Sequence, residues 1–190
     1  MSTGTAGLAP ITGTAIVSTS VSASASADTL RRDFSRTAAR FPTGVTVLTT
    51  VADGQLHGMT VNAFATASLD PLLILTALGN TSRTARYILD TGRFAVSVLG
   101  ADQQDTARWF ADRSRPVGSE SFAGLGWQPA PYTQCPVLDG AVAYFDCTVH
   151  DTHPAGDHTV VIGAVHAFDA LTGQPSLLFS GSRFSATPTA

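Results

Sequence analysis

The stretch Val45-Thr46-Val47-Leu48-Thr49-Thr50-Val51-Ala52-Asp53-Gly54-Gln55-Leu56-His57-Gly58-Met59-Thr60-Val61-Asn62-Ala63-Phe64 decides the fold. Val45–Val51 is a β-branched run, and Asp53-Gly54 is a hairpin dipeptide, since both residues tolerate the positive φ of a two-residue turn. The return strand is expected from about Leu56 to Phe64. Side chains alternate along a strand, so Gly58, Thr60 and Asn62 share a polar face while Met59, Val61 and Ala63 share an apolar one. Water and a ligand are both open as partners of the polar face.

Downstream, Ser68-Leu69-Asp70-Pro71 leads into Leu72–Leu78, a continuous apolar run that reads as a central strand buried on both faces. Asn80-Thr81-Ser82 supplies capping residues for a helix over Arg83–Asp90, which Gly92 ends. A short strand follows at Phe94–Leu99. Asp102 is the expected cap of a helix reaching Ala111, and residues 113–135, rich in Gly, Pro and Ser, read as an irregular excursion. Alternation then marks strands over 141–150 and 159–168, joined by a loop containing Pro154, Ala155 and Gly156, and a last run covers Ser176–Ser180 before a polar tail. Upstream, Asp28 caps a helix carrying Leu30, Phe34, Ala38 and Phe41, which Pro42 stops. Residues 1–27, nearly all Ser, Thr, Ala, Gly and Val, are expected as a disordered leader, with one domain over 28–190. Hairpin-linked strands with only a few short helices predict a mainly β fold, a closed or partly closed antiparallel barrel. A Rossmann sheet is disfavoured, for no GxGxxG is present.

A length of 190 residues suits one well-cored domain, and 44% apolar with 13% charged residues suits a compact protein. The net charge of -3 argues against a nucleic-acid partner. All 11 basic side chains are Arg, which excludes a Schiff-base lysine and a Walker phosphate loop. Cys135 and Cys147 belong to no CxxC or Cys/His cluster and read as reduced, structural thiols. No apolar run is long enough to span a bilayer and no secretion signal is recognisable, so a cytoplasmic location is expected.

No GxSxG elbow supports nucleophilic hydrolysis, and the five histidines are scattered. His150 and His153 lie in a loop or strand end, where their spacing does not make a metal site. Anion binding has more support. Asn80-Thr81-Ser82-Arg83-Thr84 gathers hydroxyls, unpaired N–H groups and a guanidinium at a helix N-terminus. Phosphate binding and plain capping with a surface Arg both fit that segment.

In order and spacing, the motifs resemble the flavin reductase domain of two-component flavin-dependent monooxygenases. They are Phe41-Pro42-Thr43-Gly44-Val45-Thr46-Val47, Gly58-Met59-Thr60-Val61-Asn62-Ala63-Phe64, Ser68-Leu69-Asp70-Pro71-Leu72, Asn80-Thr81-Ser82-Arg83-Thr84, Gly92-Arg93-Phe94-Ala95-Val96-Ser97-Val98-Leu99, and Gly156-Asp157-His158 followed by Gly163. The likeness runs from about Phe34 to Phe184. It implies an antiparallel split β-barrel of the FMN-binding type, with reduction of free FMN or FAD by NADH or NADPH. It also implies a homodimer and a monooxygenase partner reached through diffusible reduced flavin.

By the same resemblance, Gly58, Met59, Thr60, Asn62 and Ala63 edge the isoalloxazine ring, while Ser68 and Ala77 line the cofactor. Ser82, Arg83 and Thr84 hold flavin phosphate, Asn80, Trp109, Phe110 and Phe184 make further cofactor contacts, and His158 places the nicotinamide. On sequence alone the Trp109-Phe110 pair reads equally as core. Ala63 stands where the family often has Ser, and Leu72 where it has a second Pro. Two other readings stay open: a flavin-binding barrel with a different pathway role, and a non-enzymatic barrel, for instance one ligating haem through His57 or His158.

Overall fold

A computed structural model describes residues 26–188. The leader expected over residues 1–27 therefore lies, up to residue 25, outside the described residues. The chain divides into two units, the second beginning at Ala39. In the first, helix α1 covers Ala27–Ala38. Ser26 rather than Asp28 is its cap, with Oγ accepting from the Thr29 N–H at 3.3 Å; Asp28 instead sits in the first turn, where its charge favours the helix dipole.

The second unit is built on one antiparallel sheet. In chain order its residues form β1 (Thr43–Gly44), β2 (Thr46–Ala52), β3 (Gln55–Val61), β4 (Phe64–Leu69), β5 (Leu72–Gly79), α2 (Arg83–Thr91), β6 (Arg93–Val98) and α3 (Gln104–Ala111). After a 3₁₀ turn at Gly118–Phe122 come β7 (Trp127–Pro129), β8 (Pro136–Leu138), β9 (Ala143–Ala155), β10 (His158–Ala170), β11 (Leu177–Ser180) and β12 (Arg183–Ala186). The main sheet has seven strands in the order β3-β2-β6-β9-β10-β5-β4, leaving β3 and β4 as edges. Strands β1-β11-β12 form a second sheet and β7-β8 a ribbon. The fold is thus mainly β with a few helices, an antiparallel barrel of the split kind whose sheets stay open.

The opening hairpin forms as its sequence dictates. Asp53 and Gly54 take φ of 51° and 69°, the left-handed pair of a two-residue turn, and Thr46 to Ala52 pair in register with Val61 to Gln55. The return strand ends at Val61, not Phe64, because the chain breaks at Asn62-Ala63 and starts a separate strand, β4.

Strand β5 is not the doubly buried centre its composition suggests. Ile74, Thr76 and Leu78 are buried while the residues between them are partly exposed, and the strand is next to the edge. Two-sided burial belongs to β2, where Thr46, Val47, Leu48, Thr49 and Thr50 are all buried. Leu48 packs with Ile74, Leu78, Ile88, Phe94 and Val161 in one core cluster, and Val47 with Leu99, Ala107, Phe110, Phe122 and Leu138 in another. Each such side chain contributes roughly 1.5–3 kcal/mol on burial. A single strand, β2, therefore takes part in both core clusters.

Other boundaries shift too. Gln103, not Asp102, occupies the α3 N-cap, its side chain turned back to accept from the Gly100 N–H at 3.0 Å. Strands β9 and β10 run on to a tip at Gly156-Asp157, so Pro154 and Ala155, expected in a loop, lie on an extended arm with His150 and His153. The tail after Ser180 adds β12. Both cysteines are free and buried, and burial pushes both thiols up from their ordinary range.

Candidate functional site

Segments far apart in sequence close around a cavity of about 380 Å³. Strand β3 supplies His57, Gly58, Met59 and Thr60, and the start of α2 supplies Thr81, Ser82, Arg83 and Thr84. From the end of α3 and the loop after it come Phe110, Arg113, Arg115 and Gly118, and Gly79 and His158 also line it.

On the α2 wall, Ser82 is extended at φ −78° and ψ 129°, so its hydroxyl reaches forward to accept from the Ala85 N–H at 3.3 Å. The same hydroxyl donates to Met59 Sδ at 3.4 Å. Buried Thr84 donates to the Gly58 carbonyl at 3.1 Å. Both hydroxyls thus hold the helix to β3, and Ser82 is a true cap. What this wall offers an anion is the helix dipole, its leading N–H groups, and the exposed Thr81 and Arg83.

The opposite wall rests on Arg115. One guanidinium nitrogen donates to the Asp112 carbonyl at 2.6 Å and the other to the Gly58 carbonyl, while the group lies over the Phe110 ring at 5.5 Å. Its Nε is buried and has no partner among the described residues. Burial, then the like charge of Arg83, lowers the Arg115 pKa from the usual guanidinium value, against the pull of Asp112. The Gly58 carbonyl joins the two walls, and a Cβ on Gly58 would lie 2.6 Å from Phe110 Cε1. Only glycine lets α3 close on β3 there.

Two histidines differ in their settings. His57 is buried and stacked on Tyr87 at 4.1 Å. Burial first, with Arg83 adding, lowers its pKa, while the Ala52 backbone and Asp53 oppose the shift, so the ring is neutral at pH 7. His158 sits at the hairpin tip with Nδ1 2.7 Å from an Asp157 carboxylate oxygen. A carboxylate only accepts, so Nδ1 carries the hydrogen. Asn80 lies outside the lining and clamps this tip: its N–H donates to the Asp157 carbonyl at 3.0 Å, its Nδ2 to the Gly156 carbonyl at 3.3 Å, and its Oδ1 accepts from Thr159 at 2.8 Å.

The expected site residues therefore separate. Gly58, Met59, Thr60, Ser82, Arg83, Thr84, Phe110 and His158 meet at the cavity. The Thr60 hydroxyl is committed to the Ala107 carbonyl at 2.7 Å. Asn62 and Ala63 are exposed beyond the end of β3, and the Ala63 carbonyl accepts from the Ala77 N–H at 3.1 Å. Ser68 accepts from the Asp70 N–H at 3.2 Å near the far end of β4. Trp109 donates to the Ser121 carbonyl at 2.8 Å, and Phe184 packs on Phe179 with Arg108 over its ring; neither lines the cavity. Sequence reasoning missed Arg113 and Arg115, and it weighed His57 only as a haem ligand. The signal available was Arg113-Ser114-Arg115 directly after a helix end, two guanidiniums in a segment read only as irregular.

Three guanidiniums, a helix N-terminus and a buried, unpartnered Arg Nε, with no carboxylate among the described lining residues, fit a phosphate-bearing nucleotide. Among the described residues, no helix is long and apolar enough to cross a membrane, and no group of three His, Cys, Asp or Glu side chains is placed to hold a metal ion. Fold and site together define a split-barrel protein with a cationic pocket.

The chain belongs to the flavin reductase family: the flavin reductase like domain matches residues 38–188. It is 40% identical over 144 residues to an NADH-dependent FAD reductase of Streptomyces globisporus, covering 76% of this chain and 79% of that protein. It is 36% identical over 160 residues to the flavin-dependent monooxygenase reductase subunit HsaB of Mycobacterium tuberculosis, covering 83% of each. Among solved structures, a nitrilotriacetate monooxygenase component B homologue from Mycobacterium thermoresistibile superposes with a TM-score of 0.80 at 37% identity, covering 85% of this chain and 88% of that one.

Proposed function

We propose that this protein reduces free FMN or FAD with NADH and releases the reduced flavin to a partner monooxygenase. The observation that carries this is the single cavity in which Arg83, Arg115 and His158 meet. Flavin supplies the redox chemistry, accepting a hydride at N5 from C4 of the dihydronicotinamide. Arg83 and the α2 N-terminus hold phosphate. Asn62 and Ala63, joined to Ala77, face the ring. His158, set by Asp157 and by the Asn80 clamp, orients the nicotinamide through Nε2. Such a site works by placement, since two rings held at near-contact distance need no acid–base pair from the protein.

A homodimer belongs to the proposal: β4 is a free sheet edge, and Leu69 and Leu72 beside it are 84% and 41% exposed. Two buried, unpaired thiols fit a reducing, cytoplasmic location. The test is NADH and NADPH oxidation with FMN, FAD and riboflavin as acceptors. Oxidation that rises with added flavin supports the reading. Bound flavin without any NADH consumption would replace it with a flavin-binding role of another kind.

A further inference from the structure

The cavity carries more positive charge than one phosphate-binding helix N-terminus needs, and the charge is divided between its walls. Arg83 stands at the start of α2; Arg113 and Arg115 belong to the loop after α3. No carboxylate stands among the described lining residues to separate these like charges. Arg115 is also held in place before any ligand arrives, by the Asp112 and Gly58 carbonyls and by the Phe110 ring. Each terminal nitrogen of that fixed guanidinium gives one N–H to a carbonyl and keeps a second, and its Nε–H is buried without a partner among the described residues. A buried N–H of a charged group left without an acceptor is costly, and an anionic oxygen is the acceptor that offsets the cost best.

A monophosphate is one compact anion, and the α2 wall alone can hold it. Two walls of guanidinium suit a diphosphate, whose charges sit on neighbouring phosphorus centres. FAD and NADH both carry that chemistry, whereas FMN and riboflavin do not. We infer that Arg115, assisted by Arg113, anchors the second phosphate of FAD across the cavity from Arg83, and so makes the site select FAD over FMN. The inference rests on the flavin reductase reading and adds to it the choice of flavin. FAD is favoured over NADH as the source because the second anchor lines the same cavity as the α2 phosphate wall.

The experiment is equilibrium titration of the wild-type protein, Arg115→Gln, Arg115→Lys and Arg113→Gln with FAD, FMN and riboflavin, read by quenching of flavin fluorescence, with the NADH KM measured alongside. The wild type binds FAD more tightly than FMN. Arg115→Gln weakens FAD about tenfold, the loss of one charge-assisted contact, and changes FMN and riboflavin far less. Arg115→Lys keeps the charge but not the fork, so it recovers only part of that loss. Arg113, exposed and outside the fold contacts of Arg115, gives a second variant if Arg115→Gln does not fold, and its loss also falls on FAD. Equal weakening of all three flavins would overturn the inference, because it would mean that Arg115 only holds the loop to β3. A loss confined to the NADH KM would overturn it as well, by giving the diphosphate to the hydride donor. Should wild-type protein bind FAD and FMN equally and still oxidise NADH with both, the second anchor fails while the reductase reading stands. If no flavin binds, the reading itself fails.

Discussion

The two walls of the cavity present the same kind of charge but are held in different ways. The α2 wall is local: Ser82 caps its own helix and Thr84 ties that helix to β3. Across from it, the loop after α3 depends on one long side chain, Arg115, reaching a carbonyl 57 residues away in sequence. Gly58 is where they join, its carbonyl accepting from both walls. One wall of a cationic cavity is thus held by a local capping motif and the other by a tertiary contact, and the two fail differently.

Removing the cation of the local wall gives the largest expected effect. Arg83→Ala loses one charge-assisted phosphate contact of about 1.5–3 kcal/mol, so KM for FMN and FAD rises about tenfold or more while riboflavin, which has no phosphate, is unchanged. A riboflavin KM that moves in parallel would show that Arg83 supports the helix rather than the ligand. The joint comes next. Gly58→Ala places a methyl group against Phe110 and costs about 1–3 kcal/mol of stability by overpacking, seen as a lower midpoint in denaturant. Both walls then loosen together, so weaker binding of every flavin accompanies the drop.

Ser82→Ala tests the local wall without touching its charge. It removes a cap worth about 1 kcal/mol, again read from the denaturation midpoint, with a smaller rise in KM than Arg83→Ala produces. The smallest effect is on pH. Burial lowers the His57 pKa in the folded protein, so the unfolded chain takes up the proton first as pH falls. The stability this ring confers is complete above its ordinary value of about 6.5 and is lost as pH drops below that toward the folded value. Replacing His57 with Gln flattens that part of the stability–pH curve; an unchanged curve would place the ring outside the cavity's balance of charge.

The same division explains what could be read from the sequence. The Val45–Val61 hairpin and the α2 cap were legible because alternation, a turn dipeptide and a capping residue act over a few neighbours. Strand β4 was not, since Asn62-Ala63 breaks the return strand without a Gly or Pro to mark it. Leu72–Leu78 misled because an unbroken apolar run hides the alternation that an almost-edge position imposes, whereas the doubly buried β2 is partly built of threonines. At the site, Arg83 was visible beside its cap. Arg115 was not, for nothing in Arg113-Ser114-Arg115-Pro116 reveals that a guanidinium reaches Gly58. Asn80 was read as a ligand group, and its part in clamping the His158 tip exists only once β5 and β10 are paired.

In the proposed function, flavin enters, is reduced and leaves. Anaerobic NADH oxidation in the presence of a large excess of free FAD over protein tests it most directly. The whole flavin pool is expected to be reduced, many flavins for each protein chain. Reduction that stops after one flavin per chain would contradict it and make the flavin a resident group of a different enzyme.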